Sequence, residues 1–313
     1  MGGRGRGGDA RRRRWKALSR PLVARVLPDV PTFAVDDGFV YAVGEGQSVS
    51  VGSIVRVPLG GRKLRGFVTE VRSGSHSGLK ELRGVSGDLP VFDERLLETL
   101  RWAAHHYVAP MAGILAKSAP PNLPRRTTTP SRPEVPDVSS GPLTGLATAA
   151  AGGHRNRAAY FLASTDGNRY LTSVAAPVVG ADRSLVVVAA TAIEADRISA
   201  DLAITFGPRV VTATPDLSDR QLTDAWQVAT TVPGSIVVGT HRIVFWSVAR
   251  LGLAVMIEEG RRGMKDRQTP TIHAREILRT RARIERFGLL YVGRVPTTEV
   301  LRAGTEIIHA PGR

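Results

Sequence analysis

The chain has 313 residues, a formal net charge of +15 and 42% hydrophobic residues, which excludes a chain that is disordered throughout. Cysteine is absent, which excludes disulfides, thiol catalysis and cysteine-ligated zinc or iron–sulfur clusters. The sequence has neither an apolar run of about 18 residues, as a membrane span needs, nor an apolar segment after its basic start, as a secretion signal needs. We therefore expect a cytoplasmic protein without a membrane partner.

The positive charge is concentrated in two blocks. Residues 1–25 carry nine basic residues and one acidic residue, and residues 261–286 carry nine basic and three acidic residues. The residues between these blocks are balanced, with 22 of each sign. This distribution excludes a uniformly basic protein of the ribosomal or histone type and indicates a polyanionic partner.

Residues 1–21 are predicted to be a disordered basic arm, because glycines and repelling arginines oppose a fixed structure. The arm either neutralises nucleic-acid phosphates or is a solvated tail without a fixed role. Both interpretations stay open. The arginines that would contact DNA are Arg11, Arg12, Arg13 and Arg14.

Residues 22–121 are predicted to form a small β-rich domain that ends in helices. Gly, Pro or Asp separates four short β-type runs, at residues 22–27, 39–43, 53–59 and 64–71. The period then changes, since apolar residues between Phe92 and Tyr107 recur at helical spacing. Pro110 ends that helix, and a shorter helix follows it.

Two groups in this domain are candidates for DNA contact. Phe39 and Tyr41 are two positions apart on a predicted strand, so they share a face and can stack on bases. The alternative is that they are core residues. Arg62, Lys63 and Arg65 lie in the predicted turn, where they either grip phosphate or form an ordinary solvated turn.

Residues 122–142 are predicted to be a proline-rich linker, and residues 143–313 a parallel α/β region. Apolar strand-like runs alternate with helical segments; the runs are residues 185–190, 209–214, 235–239, 251–257 and 288–292, and the helices are residues 193–206, 218–230 and 272–286. Strands without polar alternation, separated by helices, are typical of a parallel sheet covered on both faces. The fold class is therefore α/β overall.

The α/β region contains an incomplete candidate for a nucleotide site. No G-x-x-x-x-G-K-[ST] motif occurs, and the nearest loop, residues 164–170, has one glycine and no lysine. Glu258 and Glu259 follow a predicted parallel strand, where they form either a Mg²⁺ site or, as we favour, a solvated strand end. The seven histidines lack metal-ligand spacing, so we predict neither a metal site nor catalytic residues.

The first half of the chain resembles the DNA-binding domain of the PriA family of primosomal replication-restart proteins (primosomal protein N′). The similar segments occur in the family's order within residues 22–121, and they are 24–28, 39–41, 49–60, 65–68, 80–82, 90–92, 102–104 and 107–115. The second half resembles the family's first helicase lobe, which implies a RecA-like fold. Gly239-Thr240-His241-Arg242 is similar to the family's Gly-Thr-Arg-Ser motif, and the residues around Glu258 and Lys265 follow the family's order.

Several family features are missing from the sequence. The ATP-binding loop, the cysteine-rich zinc region and the second helicase lobe have no counterpart, and Ile257 and Gly260 replace the Asp and His of the Walker B motif. Val40 replaces the Asp of the family's Phe-Asp-Tyr triplet, which meets a 3′ DNA end; Asp36 or Asp37 is a candidate substitute. The chain thus resembles shortened actinobacterial members with degenerate helicase motifs, and the resemblance implies no retained ATP or zinc cofactor.

We therefore predict a DNA-binding replication-restart factor without helicase activity, whose partners are fork, branched or single-stranded DNA and primosome and replication proteins. Residues 22–121 would recognise DNA, and the degenerate lobe would present the basic helix at residues 272–286 to DNA or to a partner. Two alternatives remain: a residual ATP-dependent helicase or nucleotide-binding protein that uses Glu258 and Glu259, and a decayed gene product without an independent role.

Overall fold

The computed structural model describes residues 21–125, 134–135, 141–153, 159–162 and 169–309. Three predictions fall wholly or mostly outside the described residues: the basic arm with its arginines, the proline-rich linker and the candidate loop at residues 164–170. Among the described helices, none is both long enough and apolar enough to cross a membrane.

The N-terminal region contains a five-stranded antiparallel sheet. Its strands are β1 (Leu22–Pro28), β2 (Phe39–Ala42), β3 (Ile54–Leu59), β4 (Arg62–Ser73) and β5 (Gly84–Ser86), in the spatial order β2-β1-β4-β3-β5. One face buries a core that includes Val26, Val57 and Val68, since alternate residues of a strand point to the same side. The sequence predicts the first four strands, whereas β5 is too short to show a pattern.

Two helices follow the sheet, α1 (Glu94–His106) and α2 (Met111–Ala116). The carboxylate of Asp93 caps α1 by accepting a hydrogen bond from the backbone N–H of Leu96 at 2.8 Å. Pro110 separates the helices, as predicted, because it has no N–H to continue α1. The backbone N–H of Met111 lies 3.0 and 3.1 Å from the two carboxylate oxygens of Asp36, so this contact ties α2 to the sheet.

The second region contains a seven-stranded parallel sheet with helices between its strands. Its elements are α3 (Thr144–Ala151), β6 (Ala159–Leu162), α4 (Arg169–Gly180), β7 (Ser184–Val188), α5 (Ala192–Phe206), β8 (Val210–Ala213), α6 (Asp219–Thr231), β9 (Ile236–Gly239), β10 (Leu251–Ile257), α7 (Ala274–Glu285), β11 (Gly288–Gly293), α8 (Thr298–Arg302) and β12 (Glu306–His309). The strand order is β12-β6-β11-β10-β7-β9-β8, and every pairing is parallel. The predicted α/β class is confirmed, and the five predicted strands lie within two residues of their bounds.

The two regions pack directly against each other. One apolar cluster extends from Phe67 in the N-terminal sheet to Trp226 on α6. The indole N–H of Trp226 donates a hydrogen bond to the backbone carbonyl of Ser118 at 2.9 Å, and the backbone N–H of His273 donates one to the hydroxyl of Tyr107 at 3.2 Å. The regions therefore share a core as well as a connecting segment.

Candidate nucleic-acid interface

The two predicted stacking aromatics share a face of β2 but differ in exposure. Their cross-strand partners on β1 are Val26 for Phe39 and Ala24 for Tyr41. Phe39 is 39% exposed, whereas Tyr41 is 3% exposed, with its hydroxyl 3.5 Å from the backbone oxygen of Pro58. Burial raises the pKa of the Tyr41 hydroxyl. The prediction that Tyr41 stacks on a base is therefore wrong, because its ring belongs to the core; for Phe39 it stays a prediction.

The three basic residues predicted in a turn lie on a strand instead. The turn consists of two glycines with positive φ angles at residues 60–61, and β4 begins at Arg62. Arg62 and Lys63 are exposed near this tip. Arg65 lies farther along the strand, with its guanidinium 3.6 Å from the Asp29 carboxylate. The hairpin is thus tighter than predicted, and Arg65 lies on the strand rather than at the tip.

A groove lies between the two regions, and we name it the inter-domain groove. It has a volume of about 870 Å³. The N-terminal region lines it with Arg65 and residues 116–121, and the α/β region lines it with the loops that follow β7, β8 and β9 and with residues 263–269. Ligands of open parallel sheets bind beyond the carboxyl ends of the strands. The groove therefore occupies the edge of this sheet where ligand binding is expected.

The lining of the inter-domain groove is strongly cationic. It contains the carboxylate of Asp266 and five basic side chains, which are Arg65, Lys117, Arg242, Lys265 and Arg267. Hydroxyl groups follow each of the three strands that end there, at Thr191, Thr214 and Thr240. Basic and hydroxyl side chains are the usual contacts of DNA phosphates. This combination suits a nucleic-acid backbone better than an apolar ligand.

Asp266 connects the two regions inside the groove. Its carboxylate accepts a hydrogen bond from the ammonium group of Lys117 at 2.9 Å and lies 2.9 Å from Nε2 of His241. Burial alone would raise the pKa of Asp266, but the hydrogen bonds from His241 and Lys117 outweigh it and lower the pKa below its ordinary value of 3.8. The only carboxylate in the described lining is therefore already paired within the protein.

Glu259 differs from both sequence interpretations. It is buried, and its two carboxylate oxygens accept hydrogen bonds from the guanidinium of Arg275 at 2.8 Å and from the backbone N–H of Thr297 at 2.9 Å. The interpretation as a solvated strand end is wrong for Glu259, because its carboxylate joins the end of β10 to α7. The ion pair with Arg275 offsets the charge that a Mg²⁺ site would use, and no group of described His, Asp and Glu side chains is arranged to hold a metal.

Glu258 is the less buried of the two acidic residues. Its backbone has a φ angle of 52°, in the left-handed region that non-glycine residues seldom adopt. Its carboxylate accepts a hydrogen bond from the backbone N–H of Arg294 at 3.3 Å. Glu258 and Glu259 therefore follow the same strand but have separate partners.

The basic helix α7 uses two of its arginines to hold the fold together. Arg281 is 1% exposed, and its guanidinium donates hydrogen bonds to two backbone carbonyls at residues 244–246 and to both carboxylate oxygens of Glu285. Arg275 is buried between Glu259 and Glu276. The prediction that this helix presents its charge to DNA is wrong for these two residues, because their guanidinium groups are enclosed by protein acceptors.

Sequence reasoning missed the inter-domain groove because its parts are distant in the chain. Lys117 follows α2, Arg242 follows β9 and Arg267 precedes α7. The sequence did contain one indication of these residues, because Arg242 and Lys265 lie in segments similar to the PriA family. No role was predicted for either residue. Only the packing of the two regions brings these cations to one surface.

The structure thus packs a β-rich antiparallel region on a parallel α/β region, with a cationic groove between them. Residues 25–120 match the family model of the PriA 3′DNA-binding domain (3′BD). This match, together with the curated relatives, confirms the resemblance of the chain to PriA proteins.

Curated relatives extend the similarity beyond that domain. The replication restart protein PriA of Treponema pallidum (strain Nichols) is 25% identical over 270 residues, which cover 80% of this chain and 40% of the relative. The probable replication restart protein PriA of Mycobacterium tuberculosis (strain H37Rv) is 26% identical over 293 residues, which cover 86% of this chain and 43% of the relative. The chain thus spans less than half the length of these relatives.

Solved helicase structures show a distant likeness. A DEAD box protein from Methanococcus jannaschii is 12% identical with a TM-score of 0.36, covering 55% of this chain and 50% of that chain. The Hef helicase domain of Pyrococcus furiosus is 16% identical with a TM-score of 0.38, covering 56% of this chain and 37% of that chain.

Proposed function

We propose that the chain is a DNA-binding replication-restart factor that recognises branched DNA at stalled forks without ATP-driven unwinding. The observation that carries this proposal is the inter-domain groove, where five basic side chains and one internally paired carboxylate lie beside a PriA-type 3′ DNA-binding domain. Phosphate contacts of this kind supply most of the affinity of a DNA-binding protein. In the proposed complex, a strand lies along the groove and its end reaches the N-terminal region.

Two observations support binding without ATP hydrolysis. The sequence has no phosphate-binding motif of the P-loop type. The carboxylate of Glu259, which follows β10, is already bonded to Arg275 and to the backbone N–H of Thr297. The guanidinium of Arg275 already offsets the negative charge of Glu259, the role that a Mg²⁺ ion would otherwise take.

The remaining partners and the arm belong to the same proposal. We place the protein in the cytoplasm at the nucleoid, with primosome and replication proteins as its protein partners. Arg62 and Lys63 at the hairpin tip add phosphate contacts. Arg11, Arg12, Arg13 and Arg14 in the N-terminal arm add affinity that falls steeply as the salt concentration rises.

Fluorescence anisotropy with a labelled fork tests this proposal against its two rivals. We expect the purified chain to bind a fork more tightly than a blunt duplex of equal length at about 0.15 M salt, with no DNA-stimulated ATP hydrolysis. Failure to bind the fork would favour a decayed gene product. Tight Mg²⁺-ATP binding together with DNA-stimulated hydrolysis would favour the residual helicase, and Glu258→Gln would then show whether Glu258 takes part.

A further inference from the structure

Asp266 places an internal anion between the two regions of the inter-domain groove. One of its carboxylate oxygens lies 2.9 Å from the ammonium group of Lys117, and the other lies 2.9 Å from Nε2 of His241. A carboxylate accepts hydrogen bonds and cannot donate them, so His241 donates from Nε2. Two donors from different regions therefore converge on one anionic group, as they would on the oxygens of a phosphate.

The two donors are held in place by contacts other than Asp266. The backbone N–H of Lys117 donates a hydrogen bond to the carbonyl of Ile114 at 3.1 Å, which fixes this lysine to the end of α2. Its ammonium group also lies 5.7 Å from the centroid of the buried Phe245 ring, within the range of a cation–π contact. His241 lies two residues after the end of β9. The donors therefore stay at the groove when the carboxylate is removed.

Asp266 can withdraw its carboxylate without a change in the backbone. The backbone N–H of Asp266 donates to the carbonyl of Ile272 at 2.9 Å, and Lys265 is bridged to His273, so these contacts close the loop at residues 267–271. The side chain of Asp266 is 14% exposed and rotates about two bonds. Rotation of this side chain moves the carboxylate into the groove while the base of the loop keeps its hydrogen bond.

The charge of Asp266 opposes the ligand that the rest of the groove favours. Asp266 supplies the one carboxylate among the described lining residues, beside five basic side chains. Two negative groups that share one ammonium group repel each other, and this repulsion grows where water is partly excluded. The carboxylate of Asp266 and a DNA phosphate therefore compete for Lys117 and His241.

We propose that Lys117 and His241 form a binding site for one backbone phosphate of DNA, which the Asp266 carboxylate occupies in the DNA-free protein. Bound DNA displaces the carboxylate, and the phosphate then joins the two regions through the same two donors. Asp266 is thus an internal competitor that stabilises the free protein and lowers its affinity for DNA. This inference rests on the proposed function and adds a phosphate site and its regulation.

Fluorescence anisotropy with a labelled fork at about 0.15 M salt tests the competition directly. Asp266→Asn should bind the fork about tenfold more tightly than the wild-type chain, the value expected for one charge-assisted hydrogen bond. Asp224→Asn is the matched control, because it removes the same charge from an exposed position on α6, the helix whose Leu222 lines the groove. Its affinity should change by less than about twofold, because salt screens an exposed charge.

Substitutions of two groove lysines test whether Asp266 acts through Lys117. Lys117→Met should weaken fork binding by less than about threefold, because its ammonium group is already paired with Asp266. Lys265 also lines the groove and is exposed, without an ion pair among the described residues, so Lys265→Met should weaken binding by about tenfold. In Lys117→Met/Asp266→Asn, most of the gain from Asp266→Asn should disappear, since the two residues are coupled.

Urea denaturation first checks that each variant is folded under the assay conditions. If Asp266→Asn is unfolded, the comparison of Lys117→Met with Lys265→Met decides the matter, because both keep Asp266. Fork binding by folded Asp266→Asn that is no tighter than wild type, or equal losses in the two lysine variants, would overturn the inference while the proposed function stands. Tighter binding of inorganic phosphate alone by Asp266→Asn would also overturn it, because the ligand would then be free phosphate. Absence of fork binding by the wild-type chain would instead overturn the proposed function.

Discussion

The basic block at residues 261–286 contains two regions with equal numbers of basic residues and opposite environments. The loop at residues 261–267 and helix α7 carry four basic residues each. All four are exposed in the loop, where Lys265 and Arg267 line the inter-domain groove. In the helix, Arg275 and Arg281 are buried. Charge counted along a sequence therefore identifies basic segments but does not distinguish a ligand surface from an internal crosslink.

The physical difference lies in the acceptors around each guanidinium. Arg281 is surrounded by two backbone carbonyls and a carboxylate, so its desolvation is offset by hydrogen bonds. For Arg275, burial alone would lower the pKa, but hydrogen bonds to Glu276 and Glu259 outweigh burial and raise the pKa above its ordinary value. Both arginines are therefore assigned to stability rather than to DNA.

The largest loss of stability should come from removing a buried arginine of helix α7. Arg281→Ala leaves Glu285 and two carbonyls without their partner, so we expect the free energy of unfolding to fall by about 3–5 kcal/mol. Urea denaturation measures this change. Arg283→Ala, an exposed arginine on the same helix, is the matched control and should change stability by less than about 0.5 kcal/mol. Equal losses for the two variants would contradict the assignment.

A smaller loss is expected at the end of β10. Glu259→Gln weakens a buried charge-assisted contact with Arg275, so the free energy of unfolding should fall by about 2 kcal/mol. Glu258→Gln serves as the control, because its contact with Arg294 is longer and more exposed. In the same urea titration, the free energy of unfolding should fall less for the Glu258 variant than for the Glu259 variant; an equal or larger fall would contradict the assignment.

The smallest effect concerns the link between the two regions. Because the pKa of Asp266 is lowered in the fold, its contribution is present above pH 3.8 and is lost as the pH falls through the folded-state value. Asp266→Asn should therefore reduce stability by about 1 kcal/mol at neutral pH. The difference in stability between this variant and the wild-type chain should disappear in strong acid. A difference that widens on acidification would show that Asp266 is not a stabilising carboxylate.

The strands were largely predictable from the sequence, because apolar runs and turn residues mark them locally. The difference between Phe39 and Tyr41 was not, since both fit the same alternating pattern and only the strands packed beside them decide which ring is covered. Arg65 illustrates the same limit: the sequence placed it in a turn from local residues alone, whereas its place in the inter-domain groove depends on a second region.

The candidate site was less predictable than the fold. Lys117 and Asp266 are distant in the chain and meet only after the regions pack. The two glutamates after β10 look equivalent in the sequence, yet Glu259 is enclosed by Arg275 because α7 lies over the strand end. Local sequence patterns show the periodicity of a strand or a helix, but they do not show which distant residues will become contact partners.

The salt dependence of fork binding tests the central claim most directly. The variant Lys265→Ala/Arg267→Ala removes two groove charges, and Arg279→Ala/Arg283→Ala removes two exposed charges from α7. Each lost phosphate contact should flatten the plot of log affinity against log salt by about 0.7–0.9. We expect the groove variant to lose about 1.5 from the slope and the helix variant to keep the wild-type slope. A wild-type slope in the groove variant, with a flattened slope in the helix variant, would contradict the account.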